Sequence, residues 1–292
     1  MKKINYHTHT YRCGHAKGKE EDYVKNAIRI HMDEIGFSDH IPLPNYRLHL
    51  LKSIVKIKAL RDVKSLIHSL IKNGPSMRIT YKSIEDHLKE VRRLKEIYKD
   101  INIYQGFEAE YLEEYLPYYK KLFKEKKIDY LILGNHFNKY CIHSCYYGKN
   151  KLTKKEIYQY CEDVEKAIET GLFSYIAHPD LFLVGYPHFD EDAQIVSKRI
   201  CKKAKEYDIP LEINGGGIQR GLYDLDGEML YLYPNSRFWR IASKIGNKVV
   251  IGLDAHKPED YNDVLYDQLV RFAKELDLNI IDEIKKRDNL ND

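Results

Sequence analysis

Seven short apolar runs in this 292-residue chain each break off at a side chain able to bind a metal ion. Ile4-Asn5-Tyr6 runs into His7-Thr8-His9, Glu34-Ile35-Gly36-Phe37 into Asp39 and His40, and the run 101–107 into Glu108. The run 129–133 leads to His136, 174–177 to His178, Ile209-Pro210-Leu211 to Glu212, and 248–252 to Asp254-Ala255-His256. On extended backbone His7 and His9 point to the same side, because strand side chains alternate with a period of two. Asp254 and His256 share that spacing and add a carboxylate and an imidazole. Glu108 stands between Phe107 and Ala109. An unpaired carboxylate is costly there, so it wants a cation, and bridging two ions would meet that need. Such a set supports hydrolysis at several metal ions. Water held by them ionises near pH ~7, the ions neutralise the charge of a transferring phosphoryl group, and no serine or cysteine nucleophile is required. Of thirteen histidines, seven (these and His15) fall at or just after the run ends. His31, His49, His68, His87, His143 and His188 fall in helices or connecting segments and read as surface or packing residues.

To meet at one place, residues from His7 to His256 need strands whose C-terminal ends share a face, which is the arrangement of an α/β barrel. The intervening segments carry helical patterns, as repeated β-α units require. Tyr23, Val24, Ala27 and Ile28 form a stripe within Glu20 to Asp33, and Ser83-Ile84-Glu85-Asp86 opens an amphipathic stretch running to Tyr98. Thr153-Lys154-Lys155-Glu156 is a stronger capping box, and its helix runs towards Gly171 as a stop. Further helices are expected from Asp190 to Tyr207, from Ser236 to Ile245 with Gly246 as terminator, and from Pro258 to about Leu276. One gap is irregular. Residues 41–82 hold Pro42, Pro44 and Gly74-Pro75 around a basic helical stretch from Ser53 to Lys72, an insertion that reads equally as a substrate lid or as a surface excursion.

At this length a single α/β domain spanning 1–292 is expected, and 43% hydrophobic with 32% charged residues is ordinary globular composition. The net charge of +4 is spread along helical faces without a basic stripe, which speaks against nucleic acid as a partner. Five cysteines at irregular spacing argue against a disulfide framework and suit a reducing cytoplasm. Cys141-Ile142-His143-Ser144-Cys145 lacks a second pair to complete a four-ligand site. No apolar run approaches the ~20 residues of a membrane span, and Met1-Lys2-Lys3-Ile4-Asn5-Tyr6 has no signal-like apolar core, so a cytoplasmic protein with no membrane association is expected.

The run of His7-Thr8-His9, His15, Ser38-Asp39-His40, Gly106-Phe107-Glu108, Asn135-His136-Phe137, Ala177-His178-Pro179 and Gly252-Leu253-Asp254-Ala255-His256 resembles the polymerase and histidinol phosphatase (PHP) family of metal-dependent phosphoesterases, over nearly the whole chain. Within it, Asp39-His40-Ile41-Pro42, Met77-Arg78-Ile79-Thr80, Glu108-Ala109-Glu110-Tyr111 and Glu212-Ile213-Asn214 are most similar to the histidinol-phosphatase branch. The resemblance implies a distorted (β/α)7 barrel, TIM-like, holding two or three divalent ions of zinc, manganese or iron. It implies that His7, His9, Glu108 and Asp254 hold a first ion, that Glu108 bridges to a second bound by His136 and His178, and that His15, His40 and His256 hold a third. The implied activity is hydrolysis of a small phosphorylated metabolite, histidinol phosphate of histidine biosynthesis, with inorganic phosphate as product. Asp39 is the candidate orienting carboxylate or proton donor, or else a cap on the following segment. Arg220, on the glycine-rich stretch after Asn214, is the first candidate to bind the ester phosphate, followed by Arg78 and Arg47. Glu110 and Glu212 are candidate partners for a substrate amine, or buried acids held by hydrogen bonds or ion pairs. Relatives commonly carry a basic residue soon after the His-Pro-Asp-Leu segment, whereas this chain continues Phe182-Leu183-Val184. Another small phosphomonoester, a nucleotide or a nucleic-acid end therefore stays open as the substrate.

Overall fold

The seven apolar runs become seven parallel strands: β1 (Ile4–Asn5), β2 (Glu34–Phe37), β3 (Asn102–Ala109), β4 (Tyr130–Leu133), β5 (Tyr175–Ile176), β6 (Leu211–Asn214) and, after a small antiparallel hairpin of β7 (Tyr223–Leu225) and β8 (Glu228–Leu230), β9 (Lys248–Gly252). A computed structural model describes residues 2–71, 77–140, 142–149 and 151–286. Lys72, Gly74-Pro75 and Cys141 fall outside the described residues, as does the side chain of His68. The strands lie in sequence order, β1-β2-β3-β4-β5-β6-β9, and an eighth short strand not foreseen from the sequence, β10 (Asn279–Ile280), pairs with the start of β9. The sheet curls into a TIM-like barrel whose ends meet only beyond β1 and β9. There Thr8 bridges Ala255, with His9 N–H donating to Ala255 O at 2.8 Å and Ala255 N–H to His7 O at 3.1 Å.

Strand alternation sorts the side chains. Phe107, Leu131, Leu133, Leu211, Ile213, Val249 and Ile251 point outward into the core shared with the helices, while Ile4, Tyr6, Tyr130, Ile132, Tyr175 and Val250 fill the barrel interior. Ile284, from the segment after β10, packs into that interior cluster, and Lys286 Nζ reaches Glu34 at 3.0 Å, so the chain's last described turn floors the barrel. The barrel is a packed core, and the positions just above it belong to Glu108, Glu212 and His7.

The helices cover the outside: α1 (Glu20–Arg29), α2 (Tyr46–Lys52), α3 (Leu60–Ile71), α4 (Ile84–Ile97), α5 (Leu116–Lys124), α6 (Lys154–Glu169), α7 (Glu191–Glu206), the single turn α8 (Gly215–Ile218), α9 (Ser236–Ile245) and α10 (Asp263–Glu275). The Thr153 capping box forms with Glu156, Asp190 caps α7, and Gly246 at φ 76° ends α9. Ser83 does not cap α4. Its hydroxyl pairs with Thr80 Oγ1 at 2.8 Å, so the helix starts without the expected box. In place of one helix from Ser53, the insertion holds α2, a 3-10 turn (Ser53–Lys56) and α3. The expected helix from Pro258 is a 3-10 turn (Pro258–Asp260) followed by α10, which Asn262 caps.

Candidate metal centre

Glu108 sits one residue from the end of β3, pointing into the barrel, and is 1% exposed. Gly134, beside it after β4, makes that possible: a Cβ at Gly134 would stand 1.9 Å from Glu108 Oε1. The two carboxylate oxygens face different imidazoles. Oε1 lies 3.0 Å from His178 Nε2 and 3.6 Å from His136 Nε2, while Oε2 lies 3.1 Å from His40 Nδ1, 3.3 Å from His9 Nε2 and 3.5 Å from His7 Nε2. Asp254 Oδ1 closes the other side of the His7–His9 pair, 3.3 and 3.4 Å from their Nε2 atoms. His7 Nε2 and His9 Nε2 are 3.1 Å apart, and His15 Nε2 and His256 Nε2 are 2.9 Å apart.

All nine candidate ligands therefore meet at the C-terminal mouth, although their grouping differs in part from the one implied by resemblance. His9 stands with His15 and His256, and His40 stands with Glu108 and His136. His40 remains close to the first set, its ring 4.7 Å from that of His9 and 5.2 Å from that of His15. Burial and the neighbouring His256 push His9 down to about 3 and His15 to about 4, and burial takes His136 to about 4, so these imidazoles are neutral with lone pairs available. Burial alone would raise Glu108, but His136, His40 and His7 outweigh it and hold the carboxyl well below the usual range. Burial would lower His7 and His178 as well, but the acids around them, Glu212, Asp254 and Glu108, raise both, so the ionised carboxylates draw positive charge into the cluster. The buried Glu108 Oε2, His9 Nδ1, His136 Nδ1 and His178 Nδ1 have no hydrogen-bond partner. Divalent cations fit that deficit, and the mixture of imidazole and carboxylate suits zinc, iron or manganese better than magnesium.

Two of these residues have left-handed backbone, His178 at φ 32° and Asp254 at φ 51°. Such strain in non-glycine residues persists only where surroundings over-determine it, and it clusters at functional sites. Part of the determination comes from Glu212, which is fully buried. Its Oε1 lies 2.8 Å from His7 Nδ1, and its Oε2 accepts from His178 N–H at 3.1 Å and from the Asn214 amide at 2.8 Å. Gly252 gives it room, since a Cβ there would stand 1.9 Å from Glu212 Oε1. Glu212 is thus placed behind two ligands rather than towards a substrate. Glu110 is turned inward as well, ion-paired with Arg78 and 4.0 Å from His136 Nδ1, while Arg78 also donates to Ile41 O at 3.4 Å. Both members of the pair are buried, and the second Glu110 oxygen, Oε2, has no hydrogen-bond partner.

Asp39 is fully buried, and its oxygens accept from Thr10 N–H at 2.7 Å and Thr10 Oγ1 at 2.8 Å, so it ties the segment after His9 to the one that carries His40. Behind it His87, read from the sequence as a surface or packing residue, joins a polar cluster. His87 lies 4.0 Å from Asp39, and its Nδ1 is 2.8 Å from Glu20, which also holds Arg12. Arg220 holds its guanidinium 5.2 Å from the centre of the Tyr233 ring, and Tyr233 packs edge-on against His178. Tyr146 stacks on His136 from the other side. Neither tyrosine was singled out in the sequence, because each comes from a segment without periodicity. The Leu181–Val184 turn that replaces a basic segment packs Leu181, Phe182 and Leu183 into the core.

A closed α/β barrel with clustered imidazoles and carboxylates at the C-terminal mouth defines a metallohydrolase-like centre. The model of the PHP domain matches residues 5–216, and the chain belongs to that family. It is 27% identical over 282 residues to a probable histidinol-phosphatase of Schizosaccharomyces pombe, covering 87% of this chain and 81% of that one. A probable histidinol-phosphatase of Deinococcus radiodurans is 22% identical over 266 residues, 86% and 85% of the two chains. Among solved structures, a putative histidinol phosphatase from Listeria monocytogenes aligns with TM-score 0.67 at 22% identity, over 89% of this chain and 98% of that one. A histidinol phosphate phosphatase from Lactococcus lactis, complexed with zinc, L-histidinol and phosphate, aligns with TM-score 0.63 at 16% identity, over 97% of both.

Proposed function

We propose that this chain is a divalent-metal-dependent phosphomonoesterase, a histidinol-phosphate phosphatase, working as one catalytic unit with 41–82 as an insertion at its mouth. The observation that carries the reading is the division of Glu108, one oxygen towards His136 and His178 and the other towards His7, His9 and His40. That arrangement suits a carboxylate shared between ions, with Asp254, His15 and His256 completing two or three sites. When bound, the ions would activate water and neutralise phosphoryl charge. Everything else is the work of the chain. Glu212 and Asp39 hold ligands in place, Tyr146 and Tyr233 wall the mouth, and Arg220 presents a fixed positive charge to an ester phosphate. Arg220 lies close enough to both tyrosines to oppose the rise that burial imposes on their hydroxyls. The named relatives support histidinol phosphate, and the apolar Leu181–Val184 turn keeps another small phosphomonoester as the second reading.

The test is the purified protein reconstituted separately with zinc, manganese and iron(II), assayed on histidinol phosphate beside sugar phosphates, nucleotides and phosphodiesters. A kcat/KM for histidinol phosphate at least ~10-fold above the panel, about 1.4 kcal/mol, is expected. Parity with the panel overturns the substrate, and no hydrolysis of any ester with any metal overturns the class.

A further inference from the structure

The insertion presents a surface that the hydrolytic centre does not use. Six of the large apolar side chains that lie exposed among the described residues come from its 20-residue span 48–67: Leu48, Leu51, Ile54, Val55, Leu60 and Ile67. Val55 is 76% and Leu60 70% exposed, and it is the concentration of six such side chains in 20 residues that marks the span. Between them stand the exposed cations Arg47, Lys56, Lys58, Arg61 and Lys64, while Lys52 is taken up by Glu114. The single acid between His40 and Glu85 is Asp62, and it is turned inward. Its carboxylate accepts from the backbone N–H of Lys58, Ala59 and Ser144 and from the Ser144 hydroxyl, so it screens none of the outer charge. The inner face is anchored by that contact, by Leu50 and Leu66 in the core and by His49 and Lys52 on Glu114. The outer face is therefore already formed and does not need a partner in order to fold.

We propose that this face docks on an anionic glycerophospholipid bilayer. Apolar side chains at helical spacing interleaved with Lys and Arg, and no exposed acid, are the pattern of a segment that lies in a membrane interface. Charge complementarity decides the occupant: a second copy of this face would bring five cations against five, whereas an anionic lipid surface attracts each of them. Among the described residues no helix is long and apolar enough to cross a membrane, so the contact is peripheral. The insertion leaves the sheet directly after His40, and docking there sets the barrel mouth beside the lipid surface.

Co-sedimentation of the full chain with vesicles of phosphatidylcholine alone, and of phosphatidylcholine mixed with phosphatidylglycerol, tests this. Binding is expected with phosphatidylglycerol only, weakening with salt. Lys58→Gln and Lys64→Gln should each lower it by about fivefold, and the Val55→Asp, Leu60→Asp pair should abolish it, while hydrolysis of a soluble phosphomonoester is unchanged in all of them. Retained hydrolysis separates this outcome from failure of the functional reading. Absence of binding to phosphatidylglycerol vesicles overturns the proposal, as does binding that all these variants leave intact. A dimer in sedimentation velocity that the Val55→Asp, Leu60→Asp pair dissociates would assign the face to a second copy and overturn it as well.

Discussion

Replacing Glu212 by glutamine changes one oxygen into an amide nitrogen and almost nothing in volume, yet no orientation of the new side chain satisfies its three neighbours. With the NH2 group towards His7, 2.8 Å away in the parent, Nδ1 must accept and the ring must carry its proton on Nε2, the nitrogen that faces Glu108 and Asp254. A protonated Nε2 cannot bind a metal ion. With the amide reversed, the NH2 group meets the His178 N–H and the Asn214 amide, two donors at 3.1 and 2.8 Å in the parent. Either way an imidazole or a strained ligand backbone loses its orientation. Loss of such an orienting partner typically lowers metal affinity 10- to 100-fold, about 1.4–2.7 kcal/mol. The assay is metal content by mass spectrometry after dialysis against a graded chelator series, with KM and kcat measured on the fully reloaded protein. The expected result is metal lost at a lower chelator concentration, with KM little changed at saturating metal. Parent-like metal retention together with a raised KM would refute the argument and return Glu212 to the substrate-binding role that its sequence position first suggested.

Gly252→Ala pushes a methyl group into the space of Glu212 Oε1 and should lower stability by about 1–3 kcal/mol, read as a fall in Tm accompanied by metal loss; a parent-like Tm would show that the carboxylate moves aside freely. Arg78→Ala strands the buried Glu110 and should cost about 3–5 kcal/mol in chemical denaturation, whereas a KM increase at unchanged stability would make Arg78 a substrate contact after all. Asp163, buried against Tyr147 and Gln159, is pushed by burial from 3.8 up to about 6. Its folded form holds the proton more tightly than the unfolded chain. Its contribution is therefore full below pH 3.8 and is lost as pH rises through about 6, on the order of 3 kcal/mol in all. Asp163→Asn should flatten the pH dependence of Tm over that window, and an unaltered slope would contradict the assignment.

The strands and the metal-site candidates were legible because each is local: an apolar run ending in a histidine or acid needs no knowledge of its neighbours. What failed to show was whatever depends on a facing partner. Glu212 reads as a free acid until His7, 205 residues away in sequence, is seen beside it. Glu110 and Arg78 likewise reveal their pairing only when the insertion folds back on β3. α5 escaped notice because Pro117 reads as a breaker, although at the first turn of a helix its missing N–H costs nothing. The β7–β8 hairpin did carry a signal, Asp226-Gly227 with both residues at positive φ, and the dipeptide was overlooked between more conspicuous motifs. β10 offered none, since two paired residues have no periodicity to read.

The join between the first and last long strands has a consequence for how the molecule comes apart. Its backbone hydrogen bonds at the rim run through His7, His9 and Ala255, the same few peptides that carry imidazoles and the Asp254 carboxylate inward. Ions gripping those side chains would act as a clasp on the cylinder, so stripping them should loosen the ring at that edge first. Opening the edge would in turn scatter the donor set, making fold integrity and cation retention two readings of a single transition.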